Sequence, residues 1–358
     1  MASRRRHYSR LNAMLKASDP HASWRAMRAK VTRRLYRSRK YDSAPATVRI
    51  VGSFGIEQPE DLDHFVATAG EIIDQNTRVL TIDIVSCSRV WPSGVTFLAS
   101  LAQHIQLTGR RGSPPRIRST ASKHNDVNRY LDECGFYDYV GRPPDVSLGG
   151  ERFADVVKIR RENRRSDQQP REQEICTLLR DHSFLDDEGV EWFDSVVLTE
   201  LLGNVTEHGI PHQDRGWWVL AQHHRAHQLI SVCIADNGIG IGHSLRTGPQ
   251  GESLDIQALR PEESDHRCIE LALKPNTSGA IAAPLPTSKR RRRYSKGARK
   301  GNGLDRVRSK CKELHIPLTI LSHHGLVILG RNGQLQTSKS FPGRLFAGTL
   351  YHMSIPTR

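Results

Sequence analysis

The chain lacks several patterns that would place it quickly. No two of its six cysteines (Cys87, Cys134, Cys176, Cys233, Cys268, Cys311) form a CxxC pair. Scattered single thiols suit a reducing cytosol better than a secreted disulfide framework, so a cytoplasmic protein is expected. No apolar run approaches a membrane-spanning length, and no signal-peptide core is present, so no membrane association is expected. No HExxH occurs, and Gly209 and Pro211 interrupt His208 and His212, which therefore cannot share one helical face. A histidine-built metal site is not expected. The glycine clusters that are present do not make a P-loop.

Positive charge is abundant but local. The formal charge of the 358 residues is +15. Residues 1–40 carry 13 Lys and Arg against Asp19 alone, a net +12, and residues 289–300 add +8. The remainder is mildly acidic at −5. A general nucleic-acid binder is therefore disfavoured, although the arm over residues 1–45 could dock nucleic acid or an acidic protein. Mitochondrial transit peptides share the arm's Arg- and Ser-rich composition, but a solvated, partly helical arm is the expectation.

Between residues 46 and 141 strand and helix patterns alternate. Thr47–Gly52 is a β-branched run, Pro59–Asp74 has helical spacing (Leu62, Phe65, Val66, Ala69, Ile72), and residues 78–86 read as a strand buried on both faces. Ser93 stands as N-cap of a helix over Gly94–Leu101. A strand at residues 115–119 and a helix at Asn125–Glu133, ended by Gly135, complete the set, implying helices packed on a central sheet. Residues 142–152, rich in Pro and Gly, read as a linker to a strand at residues 154–160 and a second domain over 153–358.

The second domain carries the chemistry. Val190, Phe193, Val197, Leu201 and Val205 make a helical stripe, and Glu200 and Asn204, four apart, project side by side beyond it. A carboxamide oxygen suits Mg2+, and a neighbouring carboxylate can orient or deprotonate an attacking hydroxyl or water. The strand Leu229–Ala235 ends at Asp236, followed by Gly238 and Gly240, where backbone can approach a base and its ribose. A plain turn at a strand end would look the same. Gly301 and Gly303 precede a helical pattern (Leu304, Val307, Cys311, Leu314), an arrangement that can cradle phosphate.

The ordered set resembles the GHKL ATPase family of anti-sigma-factor kinases, sensor histidine kinases, Hsp90, MutL and type II topoisomerases. Val196–Gly209, residues 235–241, Gly301–Leu304 and the closing strand at residues 348–356 carry the likeness. The resemblance implies ATP and Mg2+ as ligands. It makes Glu200 the catalytic carboxylate, Asn204 the magnesium ligand, Asp236 the adenine anchor with Gly238 and Gly240 shaping its pocket, Gly301 and Gly303 the phosphate cradle, and Thr349 a second adenine contact. His208, one turn beyond Asn204, and Thr277 complete the contact set. Thr277 belongs to a lid of about sixty residues between the glycine boxes. In that lid Lys296, Arg299 or Lys300 could meet phosphate, while Arg290–Arg293 read as solvated.

The first domain resembles a STAS domain, on the strand Thr81–Val85, the turn Trp91-Pro92-Ser93-Gly94 and the tail Leu131–Phe136. Ser93 takes the place of the family's phosphorylatable residue, although Trp91 and Pro92 stand where an aspartate is usual. The expected fold is thus mixed α/β (α+β), a STAS-like βα domain followed by a GHKL (Bergerat) α/β sandwich. The chain stops at Arg358, nine residues past Thr349, and residues 141–185 contain only His182, which disfavours the transducer-bearing relatives and the sensor kinases. What the resemblance leaves is a bacterial regulator of partner-switch type, meeting a sigma factor or STAS-type protein and compatible with a homodimer. It would phosphorylate serine or hydrolyse ATP. The alternative is a non-catalytic, nucleotide-gated module that docks a partner through the basic arm.

Overall fold

The structure, a computed structural model, describes residues 44–74, 77, 79–108, 116–143, 155–162, 165–208, 216–247, 264–275, 277, 303–341 and 348–358. The expected basic arm (but for residues 44 and 45), most of the linker and the lid's arginine run lie outside these residues. The chain is mixed α/β. No helix among the described residues is long and apolar enough to cross a membrane.

Short β-branched runs open the first unit and pair in parallel. Strands β1 (Ala46–Arg49), β3 (Val79–Asp83) and β5 (Arg116–Ser119) form a sheet in the order β1-β3-β5, and β2 (Gly52–Phe54) pairs with β4 (Cys87–Val90). Parallel neighbours need crossovers, which helices α1 (Leu62–Asp74) and α2 (Pro92–Thr108) provide. On α1 the buried positions Phe65, Ala69 and Ile72 recur at helical spacing. Helices α3 (Asn125–Glu133) and α4 (Tyr137–Val140) follow.

The second unit runs β6 (Val156–Glu162), α5 (Gln168–His182), α6 (Asp187–Trp192), a π-helical turn (Phe193–Leu198), α7 (Thr199–His208), β7 (Trp217–His224), β8 (Leu229–Asp236), α8 (Ile241–Thr247), α9 (Asp265–Ala272), α10 (Gly303–Glu313), β9 (Leu318–Ser322), β10 (Gly325–Leu329), β11 (Leu335–Ser340) and β12 (Thr349–Pro356). Its seven strands form one antiparallel sheet, β11-β10-β9-β12-β8-β7-β6. Alternate residues point to opposite faces. Trp217, Val219, Ile230, Val232, Ile234, Tyr351 and Met353 pack with α5, α7 and α10 in one core. Trp218, Leu220, Ala235, Leu321, Leu326 and Leu350 turn the other way and join the core of the first unit. Helix α2 lies on that second face, against β7 and β8. The central strands β7, β8, β12 and β9 are therefore buried on both sides.

Two local readings change, and one helix is added. The strand expected over residues 78–86 spans Val79–Asp83 and alternates, with Leu80 and Ile82 buried and Val79, Thr81 and Asp83 only partly so, rather than being buried on both faces. Helix α2 starts at Pro92, so Ser93 is inside it rather than its N-cap; the Trp91 carbonyl accepts the first helical bond from Val95 N at 2.9 Å. Proline is favoured at a first helical position because its missing N–H would have no helical partner there. The polar stretch after the linker contains a 15-residue helix, α5, with Pro170 in its first turn, where a proline does not break a helix.

Candidate functional site

Register places the expected adenine pair side by side. On four consecutive strands Trp217, Asp236, Thr349 and Ser322 stand in one row, with Asp236 opposite Thr349. Both residues are buried and both belong to the face that carries α7 and α10. Asp236 Oδ1 accepts the Gly238 N–H at 2.6 Å, which turns the chain out of β8. Gly240 has φ +72°, and a Cβ there would run into the His323 ring. Ser322 Oγ accepts Ile241 N–H at 2.9 Å and lies 3.3 Å from Thr349 Oγ1. The first glycine box is thus fastened to the β9 hairpin.

The helices bring the second group. At Gly303, the first residue of α10, a Cβ would lie 3.0 Å from Glu200 Oε2 and 3.9 Å from Asn204 Oδ1. The missing side chain lets the start of α10 sit against the Glu200 carboxylate, which a Cβ would have to push aside by a few tenths of an ångström. Glu200 is ion-paired through Oε1 with Arg306, one turn further along α10. Burial, with the Asp236 charge nearby, pushes the Tyr351 phenol well up, and Asn204 is close enough to offset part of that shift. Tyr351 therefore links the Asp236–Thr349 row to the Glu200–Asn204–Gly303 group. The π-helical turn just before α7, where Thr199 Oγ1 donates to Asp194 O at 3.0 Å, is a feature found often at functional sites.

Not every expected residue joins this group. Gly301, Lys296, Arg299 and Lys300 lie outside the described residues, as does the side chain of His208 at the end of α7. Thr277 is buried, and its hydroxyl donates to Lys274 O at 2.6 Å within a local turn. Arg306 and Tyr351 are additions to the expected set. Tyr351 stands two residues after Thr349 on the same strand face, and Arg306 one turn into the helix of the second glycine box, so strand and helix periodicity point to both.

Ser93 is elsewhere. It has no exposed surface and lies on the sheet face opposite the Asp236 group. Its hydroxyl donates to Glu57 Oε2 and accepts Ile56 N–H at 2.9 Å, while Ser93 N–H donates to Glu57 Oε1 at 2.9 Å. Glu57, not Ser93, thus caps α2. The same carboxylate accepts from Ser231 Oγ at 3.4 Å, and Ser231 Oγ is 2.9 Å from His352 Nε2. Burial holds the His352 pKa below its ordinary value despite Glu57 3.7 Å away, so this contact is not an ion pair at neutral pH. A phosphoryl group can reach Ser93 only if α2 leaves the sheet.

Compared with known protein families, curated proteins and solved structures, the chain matches none.

Proposed function

We propose that residues 153–358 bind ATP with Mg2+ as a GHKL-type nucleotide domain, and that residues 46–141 are a STAS-like module seated on the back of its sheet. The chain would act in the cytosol as an ATP-binding regulator of partner-switch type. The observation that carries this reading is the convergence of Glu200 and Asn204, Asp236 and Thr349, and Gly303 on one face at one end of the sheet, from segments far apart in the chain. The donor set fits the ligand. Asn204 offers a hard neutral oxygen and Asp236 can accept the exocyclic amine of adenine, while Gly240 and Gly303 let the backbone of the two glycine boxes sit close against His323 and Glu200. The start of α10 directs backbone N–H groups toward an anion. Bound ATP would supply the phosphoryl group and Mg2+ the charge neutralisation; positioning falls to the chain.

Glu200 would orient the attacking hydroxyl or water. Its pairing with Arg306 means that it must release the guanidinium before it accepts a proton. That pair favours a gated site, either switched on by a partner or used for binding without turnover. With Ser93 buried, an acceptor serine would have to come from a protein partner rather than from the same chain. In the non-catalytic reading ATP orders the lid and the basic arm docks an acidic protein or nucleic acid, with steep salt dependence for the latter.

Calorimetric titration of the full chain with ATP, with and without Mg2+, tests the reading. Saturable binding at one site is expected, weakened at least about tenfold in Asn204→Ala, which removes one oxygen contact to the metal. No heat of binding at millimolar ATP would end the proposal.

A further inference from the structure

At the opposite end of the sheet three side chains from distant segments meet. β6 pairs with β7 so that Val156 lies opposite Gln222, which brings Asp155 beside His223. Helix α5 ends at His182 above the same edge. Asp155 Oδ1 is 3.3 Å from His182 Nε2, Asp155 Oδ2 is 3.3 Å from His223 Nδ1, and the ligand-capable atoms of all three residues lie within 4.8 Å of one another. The two imidazoles stack with centroids 4.4 Å apart. We propose that Asp155, His182 and His223 form a binding site for one zinc-class divalent cation.

The spacing suits the ion. Around a tetrahedral centre with bonds of about 2.0–2.1 Å, neighbouring ligand atoms stand about 3.3–3.4 Å apart. Asp155 Oδ1 and His182 Nε2 are already at that distance, while His223 Nδ1 lies 3.3 Å from the other oxygen, Oδ2, and would close on the ion from within 4.8 Å. Two neutral imidazoles with one carboxylate select zinc-class ions over Mg2+ and Ca2+, which prefer oxygen. Arg225 grips Asp155 Oδ2 from Nη2 at 2.9 Å and Nε at 3.2 Å, which fixes the carboxylate and leaves Oδ1 on the His182 side. A groove of about 400 Å3, lined by Asp155, Glu174, Asp181 and His182 together with Lys158 and Arg160, gives an ion a route in and room for water as a further ligand. The site is distinct from the nucleotide group. Asp236 and Ile230 bound β8 between the two ends, six residues or about 20 Å apart. A bound ion would clasp the start of β6, the end of α5 and the end of β7. Without an ion, Asp155 Oδ2 is held by His223 Nδ1 at 3.3 Å and by Arg225.

The chain holds a second set of potential ligands, Glu57, Cys233 and His352, which is buried and already hydrogen-bonded between the two units. The test must separate the two. Full-length protein is titrated with zinc against a chromophoric chelator in excess Mg2+ at near-neutral pH, and Co2+ is used as a spectroscopic substitute. Expected are one equivalent bound, a cobalt spectrum without a thiolate charge-transfer band, and a loss of affinity of at least about 100-fold in His182→Gln and His223→Gln. Asp155→Asn, which keeps size and shape, should lose a comparable amount, and circular dichroism verifies folding of each variant. Absence of saturable binding, equal affinity in the variants, or a thiolate band implicating Cys233 would each overturn the proposal.

Discussion

Asn204 stands between two groups that chain order does not connect, the tyrosine of β12 and the glycine that opens α10. Gly303→Ala would put a methyl group 3.0 Å from Glu200 Oε2, so the carboxylate must shift by a few tenths of an ångström beside Asn204. Tyr351→Phe would remove the hydroxyl that lies near Asn204 and Asp236. Nucleotide affinity should fall in both, and more in Gly303→Ala, with Tm moving by only a few degrees; fluorescence titration with a labelled ATP analogue reads the order, and an alanine variant that binds like the parent would remove Gly303 from the site. Histidine burial sets an acid limit. The His224 pKa is pushed down to about 3, first by burial and then by neighbouring histidines, and burial also lowers those of His223 and His352. Each unfolded imidazole takes up a proton below about 6.5 while the folded one does not, so this contribution to stability is complete above that pH and is lost as pH falls toward 3. At pH about 5.5 His224 alone costs about 1.4 kcal/mol. Urea midpoints at the two pH values should show the loss, and His224→Phe should flatten the slope; an unchanged slope would refute the assignment.

At the level of elements, the N-terminus of α2 depends on a carboxylate outside the helix. Glu57 receives the N–H groups of Ile56 and Ser93 and the hydroxyls of Ser93 and Ser231, so its loss leaves the buried Ser93 N–H and hydroxyl without their acceptor, while Ile56 N–H keeps Ser93 Oγ and Ser231 keeps His352. Glu57→Ala should destabilise the chain by about 2–4 kcal/mol, and Ser93→Ala by about 1 kcal/mol. Chemical unfolding measures both, and an effect of Glu57→Ala below about 1 kcal/mol would show that this cluster contributes little. The helix patterns that are legible in the chain are those with one buried face, whereas the strand Leu229–Asp236 is read from its β-branched run although it is buried along nearly its whole length. The stripe on residues 190–205 and the spacing on α1 predict helices because only one side of each meets a core. β7 escapes such a reading because Trp217–Ala221 is buried without interruption, and β11 because none of its residues is buried.

For the whole molecule, the second face of the large sheet is the decisive feature. Residues 46–141 cover Trp218, Leu220, Leu321, Leu326 and Leu350 with α2 and its neighbours, making one core from two units. A fragment of residues 153–358 would expose this apolar surface, so it should bind a hydrophobic dye and self-associate on size-exclusion chromatography, whereas the full chain should unfold in one transition seen alike by near- and far-UV circular dichroism. A monomeric, dye-silent fragment would mean that the contact is dispensable. The same packing predicts that labelled ATP and Mg2+ leave Ser93 unlabelled in the folded chain; label there, lost in Ser93→Ala, would show that α2 opens readily.

The amino-acid order alone determines the helix that pairs Glu200 with Asn204, the strand ends at Asp236 and Thr349, and the glycine at the start of α10, because side-chain periodicity and backbone freedom act over a few residues. Tertiary structure decides which of these meet, and it adds Tyr351 and Arg306 to them. It also buries Ser93 under Glu57 and gathers Asp155, His182 and His223 at the far end of the sheet. Such contacts follow from strand register and from which face of a sheet a helix covers, and those are settled by burial summed over the whole chain rather than by any local spacing.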